Sequence, residues 1–114
     1  MVALAASSVV VVRFPFSDLS NSKLRPAVVL AGVGRGDWVL CQVTSRPYAD
    51  AAAIPLRNGS FATGSLELVS YARPGKLFTA NESLIAAAVG SLTHNSFSQI
   101  IGAIVSILQN SLDG

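Results

Sequence analysis

The first thirty residues contain two apolar runs separated by a polar stretch. The first run, residues 9–12, consists of four valines, and β-branched side chains suit a pleated strand and disfavour a helix. The second run, residues 27–30, follows Pro26, which fits the first residue of a strand because no ladder donor is needed there. The composition of residues 18–23 is that of a loop. The pattern predicts a hairpin whose second strand begins beside a basic residue, Arg25.

The rest of the chain, up to its last quarter, is also predicted to be mainly extended. The predicted strands cover residues 8–14, 26–33, 38–44, 52–56, 65–71 and 76–79. Asn58-Gly59 is a strong hairpin signal, so the strands on its two sides are expected to pair. Residues 79–82 have the form of a capping box, which predicts a helical turn. For residues 84–92 two alternatives stay open, since the alanines suit a helix and Val89-Gly90-Ser91 favours a strand.

The last element is predicted to be an amphipathic helix. Its apolar residues recur at i, i+3, i+4, i+7, i+8 and i+11, which places them on one stripe. These residues are Phe97, Ile100, Ile101, Ile104, Val105 and Leu108. Thr93 or Asn95 is expected to cap its start. The opposite face carries no charge, so both faces are expected to be covered.

Length and composition limit the possible classes of protein. A chain of 114 residues is expected to form a single domain that spans residues 1–114. Only 12% of its residues are charged, whereas about 25% is usual in globular domains. Part of the surface must therefore be apolar, which favours an oligomer or a permanent partner. All eight Lys and Arg residues lie in residues 1–76, so an anionic ligand is expected to bind there.

Cysteine usage and the lack of a long apolar run point to one compartment. The single cysteine, Cys41, excludes an internal disulfide and fits a reducing cytosol. Because it lies within an apolar strand, we expect a buried, unreactive thiol. No apolar run approaches the roughly 20 residues that span a bilayer, and no basic residue precedes Arg13, which disfavours a secretory signal. The expected location is the cytoplasm, without a membrane segment.

Three motifs, in a fixed order, carry a resemblance to a known family. They are FPFSD at residues 14–18, SKLRPAVVL at residues 22–30 and VTS at residues 43–45. Together they resemble the PemK/MazF family of toxin endoribonucleases, which combines a PF-[ST]-D loop, a K-x-RPA-[LV]-VL strand and an [IV]-TS strand end. The resemblance extends from about Val9 to the C-terminal helix, and the combination is more specific than any one motif.

The resemblance implies a fold and a function. The implied fold is mainly β (α+β), an SH3-like barrel of the PemK/MazF type with a C-terminal helix, assembled as a homodimer. The implied function is a sequence-selective mRNA interferase, the toxin of a type II toxin–antitoxin pair that inhibits growth. Its expected partners are single-stranded RNA and a cognate antitoxin protein. Cleavage is expected to need no metal or cofactor and to leave a 2′,3′-cyclic phosphate.

The resemblance also implies which residues act on RNA. It places the family's catalytic arginine and threonine at Arg25 and Thr44. RNA carries its own nucleophile, the 2′-OH, so the enzyme has to align that oxygen and stabilise charge on the phosphate. A guanidinium suits this task, because its planar fork matches two phosphate oxygens. Further candidates for substrate binding are Phe16, Ser17, Lys23, Ser45, Arg73 and Lys76.

The residue inventory argues against two other kinds of site. One His, one Cys and six acids are too few and too scattered to predict a metal centre. His94 has no second histidine with which to form an acid–base pair, and no G-x-S-x-G motif accompanies it. His94 is therefore expected to be a surface or capping residue.

The chain departs from the family at Phe78, where better-known members carry the arginine of an Arg-Thr pair. Lys76 or Arg73 is a candidate for its role in proton transfer. Two rival classes stay open: a catalytically inactive SH3-like barrel that binds RNA or a peptide, and a structural module that assembles larger complexes. Neither rival needs Arg25 together with Thr44. Residues 18–24 are expected to form a mobile loop that covers the active groove.

Overall fold

The computed structural model describes residues 4–15 and 22–114, and this part of the chain contains seven strands and one α-helix. The strands are β1 (Ser8–Pro15), β2 (Ser22–Gly34), β3 (Asp37–Thr44), β4 (Ile54–Leu56), β5 (Phe61–Gly64), β6 (Ser70–Asn81) and β7 (Ile85–Leu92), and the helix is α1 (His94–Asp113). All pairs are antiparallel, in the order β4-β6-β3-β2-β1-β7-β5. The sheet curls into a half-barrel. The predicted mainly β fold with a C-terminal helix is confirmed.

The valine run of β1 lies between two neighbouring strands, β2 and β7. Val9, Val10 and Val12 are all buried, although alternate residues of a strand face opposite sides of the sheet. Apolar side chains are therefore required on both faces of β1. This requirement explains why the sequence is unbroken valine there and does not alternate with polar residues.

Two clusters of buried residues lie on the two sides of the sheet. The first cluster includes Val28 and Cys41 of the sheet and Ile100 and Ile104 of α1. The second cluster is formed by Val10, Val12, Ala27, Val29, Leu40, Ala80 and Ile85, with Leu4, Trp38 and Phe78 packed against it. The five strands β1, β2, β3, β6 and β7 thus contribute to both clusters, whereas β4, β5 and α1 contribute only to the first one.

The hairpin predicted at Asn58-Gly59 is wrong. Asn58–Ser60 forms one 3-10 turn, and the strands on its two sides pair elsewhere: β4 pairs with β6, and β5 pairs with β7. A tight hairpin of the predicted kind needs a positive φ at its central residues, and Gly59 does not have one. The predicted strand at residues 65–71 is also wrong in its bounds, because β6 begins only at Ser70.

The predictions for residues 79–92 are resolved by the structure. A 3-10 turn, Glu82–Leu84, is capped by Asn81, whose side chain accepts a hydrogen bond from the Ser83 amide at 3.0 Å. The predicted turn is therefore present, but its cap is Asn81 and not Thr79. Residues 85–92 form strand β7, so the strand alternative is confirmed.

Helix α1 begins as predicted, and its apolar stripe is only partly covered. Thr93 caps the helix, with its hydroxyl accepting a hydrogen bond from the Ser96 amide at 3.1 Å. Ile100 and Ile104 are buried, whereas Val105 and Leu108, on the same stripe, are exposed. The sheet thus covers the first half of the stripe. No helix in residues 4–15 and 22–114 is long and apolar enough to cross a membrane.

The backbones of β5 and β7 approach each other closely at two glycines. Gly64 pairs with Gly90. A Cβ atom added at Gly90 would lie 2.4 Å from the carbonyl oxygen of Thr63, and one at Gly64 would lie 2.0 Å from that of Val89. Both contacts are with backbone atoms, so no side-chain rotation relieves them. Glycine is required at both positions by close approach.

We expect Gly90→Ala to lower the free energy of unfolding by about 1–3 kcal/mol, the usual cost of overpacking. The matched control is Gly59→Ala, because nothing lies within 4 Å of a Cβ at Gly59, and its effect should stay within about 0.5 kcal/mol. Urea denaturation of the three proteins measures both values. Equal stabilities for the two variants would contradict the close approach of β5 and β7.

Candidate functional site

The register between β2 and β3 places Arg25 and Thr44 together. Ala27 pairs with Gln42, and continuing this register by two residues brings Arg25 opposite Thr44. Directly opposed residues of antiparallel strands share a face of the sheet and have neighbouring Cβ atoms. Arg25 is also fixed on its other side, where it pairs with Val12 of β1.

Arg25 and Thr44 line a first depression at this end of the sheet, with a volume of about 550 Å³. Its apolar lining comes from Val11, Leu24, Pro26, Val43, Leu66, Leu68 and Val89. Lys23 and Ser45 also line it, and Glu67 is the one acidic residue among its described lining residues. The first depression therefore combines an apolar wall with two cations and four hydroxyl side chains, of which Thr44 and Ser45 are neighbours in the chain.

A second depression, of about 490 Å³, continues from the first and shares Arg25, Thr44 and Ser45 with it. Its remaining lining residues are Gln42, Arg46, Tyr48 and Arg73. Three guanidinium groups thus line one depression, and no acidic residue is among its described lining residues. Such a site favours an anion.

A third depression, of about 470 Å³, follows the second and shares Tyr48 and Arg73 with it. Lys76 and Asp50 are among its other lining residues. We call the three depressions together the groove. Along the groove, the cationic side chains come from the start of β2, the loop after β3 and the first half of β6.

The cations of β6 lie in a bulge of the sheet. Cys41 of β3 pairs with Leu77, and Val43 pairs with Ala72, so residues 73–76 lie opposite Gln42 alone. Bulges bend a strand and change the direction of its side chains. Pro74, which has no amide donor, is buried within this bulge, where no ladder hydrogen bond is needed. The bulge brings Arg73 and Lys76 to the groove.

The hydroxyl of Thr44 organises the chain that follows it. The Arg46 amide donates a hydrogen bond to Thr44 Oγ1 at 3.1 Å, and Oγ1 donates to the Arg46 carbonyl oxygen at 3.3 Å. A hydroxyl that accepts from the amide two residues further along forms a local turn. Thr44 therefore belongs to the wall of the groove and also fixes the start of the β3–β4 loop, residues 45–53.

Asp50 ties the same loop to β6. Its Oδ2 accepts a hydrogen bond from Arg73 Nε at 2.7 Å, and its Oδ1 accepts one from the Ala52 amide at 3.0 Å. The hydrogen bond from Arg73 is the main cause that lowers the pKa of Asp50, with the Ala52 amide adding to it. Asp50 therefore stays ionised and holds the Arg73 guanidinium in place at the groove.

The thiol of Cys41 is buried, as the sequence predicted. Burial is the main cause that raises the pKa of this thiol to about 11. Its Sγ donates a hydrogen bond to the Arg73 carbonyl oxygen at 3.2 Å. Because the thiolate is the nucleophilic form, Cys41 is a structural residue that supports the bulge.

The structure brings together most of the residues singled out in the sequence. Arg25, Thr44, Lys23 and Ser45 line the first depression, Arg73 lines the second, and Lys76 lines only the third. Phe16 and Ser17 lie outside the described residues, as does most of the loop expected at residues 18–24. Ser22, Lys23 and Leu24, expected in that loop, belong to β2, so the predicted bounds of the loop are wrong at its end.

Two further predictions concern residues outside the groove's lining. Phe78 is half-buried, packs against the second buried cluster and is not a lining residue of the groove. His94 is the exposed first residue of α1, with a ring nitrogen 3.4 Å from Ser98 Oγ. Within residues 4–15 and 22–114, no three His, Cys, Asp or Glu residues are grouped to hold a metal ion.

Arg46, Tyr48 and Glu67 are among the groove residues that were not predicted from the sequence. Arg46 and Tyr48 follow Thr44 within four residues. A basic residue close to an aromatic one is typical of loops that bind nucleic acids, so the sequence did contain a signal for these two residues. Glu67 gave no signal, because it reaches the groove only through the irregular segment between β5 and β6.

Solved structures of toxins share this fold. An endoribonuclease in complex with its cognate antitoxin from a mycobacterial species has a TM-score of 0.71 at 13% identity, covering 96% of each chain. The Mycobacterium tuberculosis toxin MazF-mt6 has a TM-score of 0.70 at 13% identity, covering 90% of this chain and 96% of that one. A MazE-MazF structure from Deinococcus radiodurans has a TM-score of 0.73 at 18% identity, covering 91% and 94%.

The likeness to these toxins is found by comparison of structures and not of sequences. The sequence of the chain matches no family model and no curated protein. At identities of 13–18%, the structural likeness shows the fold. The chain has the fold of MazF toxins, and the PemK/MazF resemblance of its sequence is confirmed at that level.

We expect Asp50→Asn to lower the urea midpoint of unfolding at pH 7, because it removes the charge that pairs with Arg73. The folded pKa of Asp50 is lowered, so its contribution is present above the unfolded pKa of about 3.9 and is lost as pH falls through the folded pKa. The difference from wild type should therefore shrink towards pH 2. Asp113→Asn, at the exposed end of α1, is the control and should change little. A difference for Asp50→Asn that is the same at pH 2 and pH 7 would refute this account.

Proposed function

We propose that the protein is an endoribonuclease toxin that cleaves single-stranded mRNA without a metal ion. The observation that carries this proposal is the position of Arg25, near the start of β2, beside Thr44, at the end of β3, on the wall of two cation-lined depressions. A guanidinium and a hydroxyl are the groups needed to hold a phosphate, and RNA brings its own nucleophile. The shared fold with MazF toxins supports the same reaction class.

The proposed reaction is a transesterification. The 2′-OH loses its proton, O2′ forms a bond to the adjacent phosphorus, and the bond from phosphorus to O5′ breaks. The products are a 2′,3′-cyclic phosphate and a 5′-hydroxyl, which takes up a proton. The Arg25 fork holds the two non-bridging oxygens as their charge increases. Thr44 donates its hydroxyl proton to the same phosphate in place of the Arg46 carbonyl oxygen.

Proton transfer is assigned to residues that line the groove, because Phe78 packs against the second buried cluster and does not line the groove. Glu67 is the one carboxylate among the described lining residues of the first two depressions, which makes it a candidate base for the 2′-OH. Arg73 lines the second depression and remains a candidate that supports charge on the leaving oxygen. Lys76, in the third depression, is assigned to binding the RNA chain further along.

The proposed partner protein is a cognate antitoxin. Two of the structures that share the fold are described as an endoribonuclease with its cognate antitoxin and as MazE-MazF. The groove combines cations with an apolar wall, so a segment that is both acidic and apolar would complement it. We propose that such a segment inhibits the toxin by occupying the groove, and that both proteins act in the cytoplasm.

A catalytically inactive barrel that binds RNA is the alternative. It is favoured by one observation, the packing of Phe78 against the second buried cluster at the position where better-known family members carry an arginine. Binding without cleavage would retain the cationic groove and make Thr44 dispensable. The cleavage experiment below separates the two functions.

We expect the protein to cleave a mixed single-stranded RNA in the presence of EDTA. Arg25→Ala should reduce the rate by about 100- to 1,000-fold, the usual effect of losing one donor that stabilises developing charge. Thr44→Val should also reduce the rate, and Thr44→Ser should restore it because the hydroxyl returns. Separation of the products on a denaturing gel gives the rates, and a 2′,3′-cyclic end confirms the chemistry.

The matched control is Arg57→Ala, which removes an exposed arginine that does not line the groove and should leave the rate unchanged. Unchanged cleavage by Arg25→Ala would remove Arg25 from the mechanism. Binding of RNA without any cleavage by the wild-type protein would establish the inactive barrel.

We also propose that the protein is a homodimer held by apolar contacts. The second half of α1 exposes four apolar side chains, those of Val105, Ile107, Leu108 and Leu112. Three of them, at spacings i, i+3 and i+7, share one face of the helix, and an exposed apolar patch marks an interaction surface. Sedimentation at micromolar concentration should give the mass of two chains. Leu108→Glu should give a soluble monomer, and a wild-type monomer at that concentration would refute the dimer.

A further inference from the structure

Tyr48 is an aromatic residue that the fold holds in solvent. Its exposed fraction is 85%, the largest among the exposed large hydrophobic residues of the described chain. Its φ is +54°, in the left-handed region that a bulky residue enters only at an energetic cost. An exposed ring on a strained backbone contributes little to the stability of the fold. We therefore look for a functional role of Tyr48.

The loop that carries Tyr48 is fixed by hydrogen bonds on both sides of this residue. Before it, the Arg46 amide binds Thr44 Oγ1 at 3.1 Å. After it, the Asp50 amide binds the Pro47 carbonyl oxygen at 3.1 Å, and the Asp50 carboxylate binds Arg73 Nε at 2.7 Å. The exposure of the ring is thus a property of a fixed loop. A preorganised aromatic surface binds a ligand without the entropic cost of ordering the loop on binding.

Tyr48 lies where the second and third depressions of the groove meet, since it lines both. The second depression holds the guanidinium groups of Arg25, Arg46 and Arg73, and the third adds the ammonium group of Lys76. Cationic side chains therefore lie on both sides of one aromatic ring. Single-stranded nucleic acids are bound by this combination, in which cations track the phosphates and aromatic rings stack on the bases.

We propose that Tyr48 stacks on a nucleobase next to the phosphate held by Arg25 and Thr44, and that RNA continues over it towards Lys76. This inference rests on the proposed ribonuclease function and adds a specific residue for substrate binding. The alternative ligand for the surface around Tyr48 is a peptide segment. RNA is favoured because Arg25, Arg46 and Arg73 line the second depression and no acidic residue is among its described lining residues, and a chain with repeated negative charges matches such a lining.

The experiment uses an uncleavable 2′-O-methyl oligonucleotide of mixed sequence, with 2-aminopurine placed at one position at a time. Wild-type protein should quench the fluorescence at one or two positions, because a stacked 2-aminopurine is quenched. Tyr48→Ala should lose this quenching and bind about tenfold more weakly, as expected for one lost base–aromatic stack. Tyr48→Phe and Tyr48→Trp retain a ring and should retain both signals.

Cleavage kinetics give a second readout. With cleavable RNA, Tyr48→Ala should raise KM by about tenfold and leave kcat within about twofold, because the ring contributes binding and not charge stabilisation. The control is Val33→Ala, another exposed apolar residue, which lies near the end of β2, does not line the groove and should change nothing. A second variant, Tyr48→Asn, controls for misfolding, because asparagine tolerates a positive φ. It should lose the stacking signal and keep the melting temperature of the wild-type protein.

Each outcome has one meaning. If wild-type protein cleaves RNA and Tyr48→Ala binds and cleaves equally well, the stacking role is overturned and the ribonuclease function stands. If Tyr48→Phe is as weak as Tyr48→Ala, the hydroxyl and not the ring is responsible, and the stacking role is again overturned. If wild-type protein neither binds nor cleaves RNA, both the function and the inference are overturned.

Discussion

The pairing of β2 with β3 is the constraint on which the proposed site depends. Ala27 opposite Gln42 determines that Arg25 lies beside Thr44, and a shift of one residue would turn one of them to the other face of the sheet. Both strands bury apolar side chains on both faces, so a shifted register would also expose core residues. The two buried clusters therefore fix the geometry of the groove at the same time as they stabilise the fold.

Arg73 connects this rigid sheet with the loop after β3. Its carbonyl oxygen accepts from Cys41 in the core, and its guanidinium binds Asp50 in the loop. Asp50 neutralises part of the positive charge that three neighbouring guanidinium groups would otherwise bring together. It does so from the third depression, so the second depression keeps a positive charge. One ion pair thus stabilises the loop and leaves the proposed binding site positively charged.

The sequence predicted the elements that local patterns determine and missed those that depend on long-range pairing. The valine run, the RPA strand and the helical stripe were sufficient for β1, β2 and α1, because each must bury apolar residues with its own period. The Asn58-Gly59 signal failed because β4 and β5 find partners in β6 and β7, far away along the chain. Arg25 and Thr44 were predicted from the family resemblance. The position of Tyr48 depends on an ion pair between residues 50 and 73, which no sequence pattern predicts.

The bulge of β6 gives a physical reason why the groove tolerates Phe78. Phe78 is half-buried and packs against the second buried cluster, where an arginine would lose part of this apolar packing in order to keep its charge in solvent. The bulge at residues 73–76 supplies cations from the same strand nearer to its start, where Arg73 and Lys76 line the groove. Positive charge is thus provided without interrupting the core. In this protein, residue 78 packs against the apolar side chains of the sheet. The bulge earlier in the same strand brings Arg73 and Lys76 to the groove.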